Sequence, residues 1–246
     1  MGVGQPLIIL HGLFGSSRNW QQLGKRLAAK HQVYLLDLRN HGRSPHDDRM
    51  DYERMAEDLA QFVVQHDLSD FHLLGHSMGG KVAMLYALAQ GQQVASLTVV
   101  DIAPVAYEHD FAEVLAGLKA LDLTRLNGRK QADAELARYV KPMGLRQFLL
   151  QNLVLEQGVY HWRIHLAAIE REMSNIAGFP EASGSYLGTT LFVKGSESDY
   201  IGAEHESVIH SYFPYAQIDC IEGAGHWLHA EQPEAFLRML WVALDD

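Results

Sequence analysis

A chain of 246 residues, 48% hydrophobic and 20% charged, can bury one sizeable core and is too apolar to remain disordered. Its formal net charge of −10 repels polyphosphate and argues against a nucleic-acid platform, although a small anionic substrate stays compatible. No apolar run reaches the roughly 18 residues that cross a bilayer, and Met1 to Pro6 show no basic flank, apolar stretch or cleavage site of a secretory signal, so a cytoplasmic protein without a membrane span is expected.

Leu7-Ile8-Ile9-Leu10 is a short continuous apolar run and predicts a buried strand. Residues 19–30 follow as a helix and residues 33–36 as a second strand. Asp51 is placed to cap a helix running to about residue 66, in which Met55, Leu59, Phe62 and Val63 recur at helical spacing. A strand at 71–74, a helix at 78–90 and a strand at 97–100 complete the first half. This alternation predicts an α/β protein with a mainly parallel sheet flanked by helices. After Pro104 the strand signal disappears, and the chain reads as helices broken by Pro142, Gly144, Gly158 and Pro180. The rhythm returns with a strand at 190–193, a helix at 203–213, a strand at 218–221 and a closing helix from Pro233. The expected organisation is therefore an α/β core of residues 1–103 and 187–246, with a helical cap of residues 104–186 inserted after the fourth strand. Cys220 is the only cysteine, which excludes an internal disulfide or a cysteine zinc cluster and predicts a buried, inert thiol.

Gly75-His76-Ser77-Met78-Gly79 lies between a predicted strand and a predicted helix, the setting in which a G-x-S-x-G string makes a nucleophile elbow. The glycines leave room for a sharp turn, and the Met78 N–H can face a developing oxyanion. The same stretch, Gly75 to Lys81, also fits the phosphate-binding G-x-x-x-x-G-K, with residues 97–101 as an apolar strand ending in an acid. That nucleotide-binding alternative suffers from Val82, which stands where a magnesium-ligating hydroxyl belongs. It also leaves two further motifs unused. His11-Gly12-Leu13-Phe14-Gly15 follows the first strand, where Leu13 can supply a second oxyanion N–H. Gly223-Ala224-Gly225-His226-Trp227 follows the last strand, where His226 can reach a nucleophile on a neighbouring strand end. His76 and His229 are expected to support the site. His161 and His165, at i, i+4, lack the intervening Glu of a zinc-protease helix and are expected on one face of a cap helix.

Taken together, these motifs resemble the α/β-hydrolase superfamily. With Asp37-Leu38-Arg39-Asn40-His41-Gly42-Arg43-Ser44, Gly75 to Lys81, Asp101-Ile102-Ala103-Pro104-Val105 and Gly223 to Trp227, the chain more closely resembles the bacterial YbfF-type esterases. The resemblance implies a capped carboxylesterase that needs no cofactor and acts on a small-molecule ester or an acyl-CoA thioester. Carbon-carbon bond hydrolysis and lyase chemistry on the same scaffold are the alternative. Two departures stand out. Few residues precede the first strand, so the sheet is expected to be short at that edge. In addition, the family's usual acid after the cap falls on Ser198, with Glu197 one residue early and Asp199 one late. The resemblance to the closer relatives places the acid at Asp101 instead, with Asp199 as the competing choice.

On this reading Ser77 attacks a carbonyl, His226 takes its proton, Asp101 orients the imidazole, and the N–H groups of Leu13 and Met78 hold the oxyanion. Phe148, Leu149, Trp162 and Leu166 are candidate substrate-binding walls on the cap. Arg39, Lys81 and Arg146 are candidates to attract an anionic acyl carrier, with a solvated surface role as the plainer reading.

Overall fold

The computed structural model describes residues 1–108 and 111–245. The first half runs β1 (Pro6–Leu10), α1 (Gln21–Leu27), β2 (Gln32–Leu36), α2 (Tyr52–Gln65), β3 (Phe71–His76), α3 (Met78–Gln90) and β4 (Val94–Val100). An insertion carries α4 (Ala112–Ala120), α5 (Arg129–Leu136), α6 (Met143–Leu149), β5 (Leu153–Glu156), β6 (Val159–Trp162), α7 (Leu166–Arg171) and α8 (Met173–Ala177). The chain then completes β7 (Thr189–Gly195), α9 (Glu206–Tyr212), β8 (Ala216–Ile221), α10 (Leu228–Glu231) and α11 (Pro233–Asp245). Six strands pair in parallel in the order β2-β1-β3-β4-β7-β8.

Side chains alternate across a strand, and β1 shows why this apolar run needs cover on both faces. Leu7 and Ile9 join an apolar cluster with Leu23 and Leu27 of α1 and Phe236 and Leu240 of α11. Ile8 and Leu10 join a second cluster with Met55 and Leu59 of α2 and Val82 of α3. The Asp51 carboxylate accepts the Arg54 N–H at 2.7 Å, satisfying one of the donors that α2 leaves free at its start. Helix α3 is buried along most of its length and lies close on β1. A Cβ on Gly79 would sit 2.5 Å from the His11 carbonyl oxygen and 2.7 Å from that of Leu10. Because both obstacles are backbone, Gly79→Ala is expected to cost about 3 kcal/mol, read as a lower denaturation midpoint in urea; an unchanged midpoint refutes the close-approach argument.

The insertion is not purely helical, as the sequence had suggested. β5 and β6 form an antiparallel hairpin, with Leu153 opposite Trp162 and Glu156 opposite Val159. Gln157 and Gly158, at φ 51° and 83°, make its two-residue turn, so Gly158 marks a hairpin rather than a helix break. Consequently His161 lies on β6 while His165 precedes α7, where its Nδ1 accepts the Ala168 N–H at 3.1 Å; the two share no helix face. Cys220 is exposed rather than buried, because β8 is an edge strand of which only Ile221 is fully covered. Among the described residues no helix is long and apolar enough to cross a membrane.

Candidate active site

In an open parallel sheet the chain leaves β1 towards β2 on one side and returns to β3 on the other, which opens a crevice at their carboxyl ends. Two of the sequence motifs end up there. Ser77 follows β3 directly and precedes α3, with φ 52° and ψ −120°, a conformation that side-chain-bearing residues rarely adopt. Its N–H is held by the Val100 carbonyl at 3.0 Å, and its own carbonyl accepts the Lys81 N–H at 3.1 Å. The flanking glycines permit this turn, since a Cβ on Gly75 would lie 2.2 Å from the Gly79 carbonyl oxygen.

The second motif forms the turn after β1, closed by the Gly15 N–H on the Gly12 carbonyl at 2.9 Å. Two buried imidazoles suspend it. His11 donates from Nδ1 to the Gly12 carbonyl at 2.8 Å and accepts the Leu38 N–H on Nε2 at 3.0 Å. His41 donates from Nδ1 to the Arg39 carbonyl at 3.0 Å and accepts the Phe14 N–H on Nε2 at 3.1 Å. Each ring thus needs one bare nitrogen and is neutral. Burial depresses both, and His41 is pulled down to about 3. The Asp37-to-Ser44 motif therefore works as scaffolding for the turn that carries Leu13. The Leu13 N–H makes no hydrogen bond among the described residues, and the Met78 N–H sits in the first turn of α3, where the helix supplies no acceptor.

The third motif extends from β8. Its loop is pinned by the Gly225 N–H on the Glu231 carboxylate and by His76 Nε2, which donates to the His226 carbonyl at 2.8 Å. His226 Nδ1 lies 2.7 Å from Asp101 Oδ2, and the Tyr200 ring stacks on the imidazole at 4.0 Å between centroids. Asp101, fully buried at the end of β4, also accepts the Gly195 N–H at 3.1 Å and the Ser198 hydroxyl at 2.5 Å. This carboxylate is satisfied by three donors without a cation, and it fixes the proton of His226 on Nδ1, leaving Nε2 free to accept another. Asp199 and Glu197 are exposed. Ser198, at the position where the family's usual acid falls, spends its hydroxyl on Asp101. Ser77, Leu13 and His226 line one cavity of about 240 Å³.

The sequence matches the model of the alpha/beta hydrolase family over residues 7–239. The chain belongs to that family. This alpha/beta hydrolase is 41% identical to the sn-1-specific diacylglycerol lipase ABHD11 of Xenopus laevis over 97% of its own length and 79% of that protein. It is 34% identical to Esterase YbfF of Escherichia coli (strain K12), over 98% of this chain and 93% of that one. Among solved structures, one described as a marine microorganism esterase superposes with a TM-score of 0.95 at 42% identity, covering 97% of this chain and 95% of that one. The alpha/beta hydrolase thus stands among esterase- and lipase-type relatives.

Of the four wall candidates on this hydrolase's insertion, only Phe148 lines the cavity. Leu149 is fully buried in the core, and Trp162 and Leu166 pack against that core away from the cavity lining. The walls that sequence reasoning missed include Phe111, Leu145, Tyr200 and Trp227. Leu145 was detectable in principle, since it precedes Phe148 by three residues on α6 and so shares its face; the others sit in loops where no periodicity marks them. Arg39 and Arg146 are not free cations. Arg39 grips Asp58 at 2.6 and 2.7 Å, and Arg146 holds Asp133 at 2.8 Å. Lys81 is buried, and its ammonium donates to the Ala177 and Gly178 carbonyls, so it is not directed at a phosphate loop as nucleotide binding requires.

The buried histidines predict acid lability. His229, stacked on Trp20 at 4.2 Å, is pulled down to about 3 by burial and by neighbouring His226, and His76 also lies well below its ordinary value. Below pH 6.5 an unfolded chain takes up protons that these neutral rings refuse, so stability is fully present above that pH and is lost progressively towards pH 3. Thermal melts should therefore shift steadily downward between pH 7 and pH 4, with a shallower slope in His41→Gln. A flat profile, or an unchanged slope in the variant, contradicts the assignment.

Proposed function

We propose that this protein is a serine esterase that cleaves carboxylic esters through an acyl-enzyme on Ser77, with His226 as general base and Asp101 as the acid that orients it. The reading rests on the 2.7 Å contact between His226 Nδ1 and Asp101 Oδ2 in a cavity that Ser77 lines at a strained strand-to-helix turn. In this mechanism Ser77 Oγ attacks the ester carbonyl as its proton passes to His226 Nε2. The tetrahedral oxyanion is held by the N–H groups of Leu13 and Met78, a contribution typically worth ~10²–10³ in rate per donor. Collapse expels the alcohol, which takes the proton from His226, and water then releases the acid by the same route. A thioester follows the same steps with a thiol leaving group, and acyl-CoA thioesters are a second candidate class.

Residues 104–186 act in this reading as a cap, because Phe111, Leu145 and Phe148 from the insertion line the cavity that Ser77 also lines and contribute apolar surroundings suited to an acyl group. A volume of about 240 Å³ lies below the ~300–1,000 Å³ of pockets for drug-sized ligands and favours short acyl chains. The test is a series of p-nitrophenyl acetate, butyrate, octanoate and palmitate, together with mass mapping of a fluorophosphonate adduct. Turnover should peak at acetate or butyrate, with the adduct on Ser77; no turnover of any ester, or an adduct elsewhere, rejects the proposal.

A further inference from the structure

Lys81 is buried to 1% exposure, and no carboxylate pairs with it among the described residues. It stands one turn beyond Ser77 on α3, its stem inside the core. Its Nζ donates to the Ala177 carbonyl at 2.9 Å and the Gly178 carbonyl at 2.5 Å, at the C-terminal end of α8. That end carries partial negative charge and suits a cation. Burial pulls the group down to about 7, and both its protonated and neutral forms keep the two N–H groups that the carbonyls use.

The neighbouring donors converge on the same turn. The Tyr52 hydroxyl donates to the Ile176 carbonyl at 2.6 Å, and the Tyr107 N–H donates to the Ala177 carbonyl at 3.0 Å. Tyr107 belongs to the segment that leads into the insertion, whereas residues 177 and 178 belong to the segment that leads out of it. The Lys81 ammonium also lies 4.8 Å from the Tyr107 ring. One side chain on the helix that begins at Ser77 therefore touches both roots of the insertion. From Tyr107 the contacts continue to the site. Its hydroxyl accepts the Ala103 N–H at 2.8 Å, beside Asp101, and donates to the Tyr200 carbonyl at 2.5 Å, and the Tyr200 ring stacks on His226. Between Ser77 and Lys81 lies a cavity of only about 30 Å³, also lined by Tyr107 and Tyr200, so little slack exists along this path.

We infer that Lys81 is a positioning residue for the Ser77–His226 chemistry, clamping both roots of the insertion to α3 and so holding Tyr200 against the imidazole. The inference depends on the serine-esterase reading. It predicts a defect in the chemical step rather than in substrate binding, because neither Nζ nor the Tyr107 hydroxyl faces the larger cavity that the ester would enter.

The test compares the parent, Lys81→Met, Tyr107→Phe and the double variant on p-nitrophenyl acetate, with rates expressed per site titrated by a fluorophosphonate so that unfolded protein does not count. Lys81→Met should lower kcat about tenfold with KM held within about twofold. Tyr107→Phe should lower kcat by less, again at constant KM, and the double variant should be no worse than Lys81→Met alone, since both cut one path. Parent kcat in Tyr107→Phe overturns the inference even if Lys81→Met fails to fold. Losses that multiply in the double variant, or that fall on KM, overturn it too. A parent enzyme that takes no adduct on Ser77 defeats the esterase reading itself, whereas normal parent labelling with unaffected variants defeats only the role of Lys81.

Discussion

Ser77→Ala is expected to lower turnover of p-nitrophenyl esters by roughly 10⁴-fold or more and to abolish the fluorophosphonate adduct, because no other hydroxyl takes over a role that depends on the elbow's geometry. The loss should be confined to chemistry. Ser77 leaves its side chain in the cavity, and its backbone bonds to Val100 and Lys81 do not involve the hydroxyl. The same conformation supplies a second, opposite expectation. At φ 52° and ψ −120° the serine stores backbone strain that glycine does not feel. Ser77→Gly should therefore be as inactive as Ser77→Ala yet more stable than the parent by about 1 kcal/mol, a stability-for-function exchange localised at one residue. Retained turnover in either variant removes Ser77 as the nucleophile. A Ser77→Gly protein less stable than Ser77→Ala contradicts the strain.

Asp101→Asn should reduce kcat by about 10³–10⁴-fold while leaving KM nearly unchanged. Three donors converge on this carboxylate, from His226, Ser198 and Gly195. An asparagine amide offers one oxygen and one N–H₂ group, so whichever way it turns, an N–H₂ meets a donor. The least costly relief is for His226 to shift its proton to Nε2, which leaves nothing to accept the serine proton. Asp199→Asn is the matched control, because Asp199 is exposed, and its kcat should stay within about twofold of the parent. A severe loss in Asp199→Asn with little in Asp101→Asn reverses the assignment of the acid.

Local sequence chemistry carried much of this molecule. The apolar runs at β1, β3, β4 and β7 announced themselves because strands covered on both faces are built mainly from apolar residues, with the few polar ones, such as His72, Ser96, Thr98 and Thr190, buried among them, and Asp51 announced α2 because a helix start needs an acceptor for its free N–H groups. The hairpin at β5 and β6 was missed because its turn signal is a single glycine, Gly158, which in an otherwise helical stretch reads equally well as an interruption. Leu149, Trp162 and Leu166, expected as walls, lie outside the cavity lining for a related reason: periodicity says which residues share a face, not whether that face meets the core or a cavity. Lys81 was read as solvated because nothing within α3 reveals that the carbonyls at the end of α8 lie over it.

What the sequence determined alone is the set of chemically able loops, since glycine spacing at Gly75 and Gly79 and the residues that close β1, β3 and β8 are constrained by short-range sterics. Only the tertiary structure decided which acid partners His226. Asp101 and Asp199 are separated by a long insertion, and the choice depends on β4 lying beside β7 in the sheet, which brings Asp101 to Gly195, Ser198 and the imidazole and leaves Asp199 in solvent. Hydrogen bonds of this kind act over about 3 Å and are blind to distance along the chain, so strand order had to be known before the partner could be named.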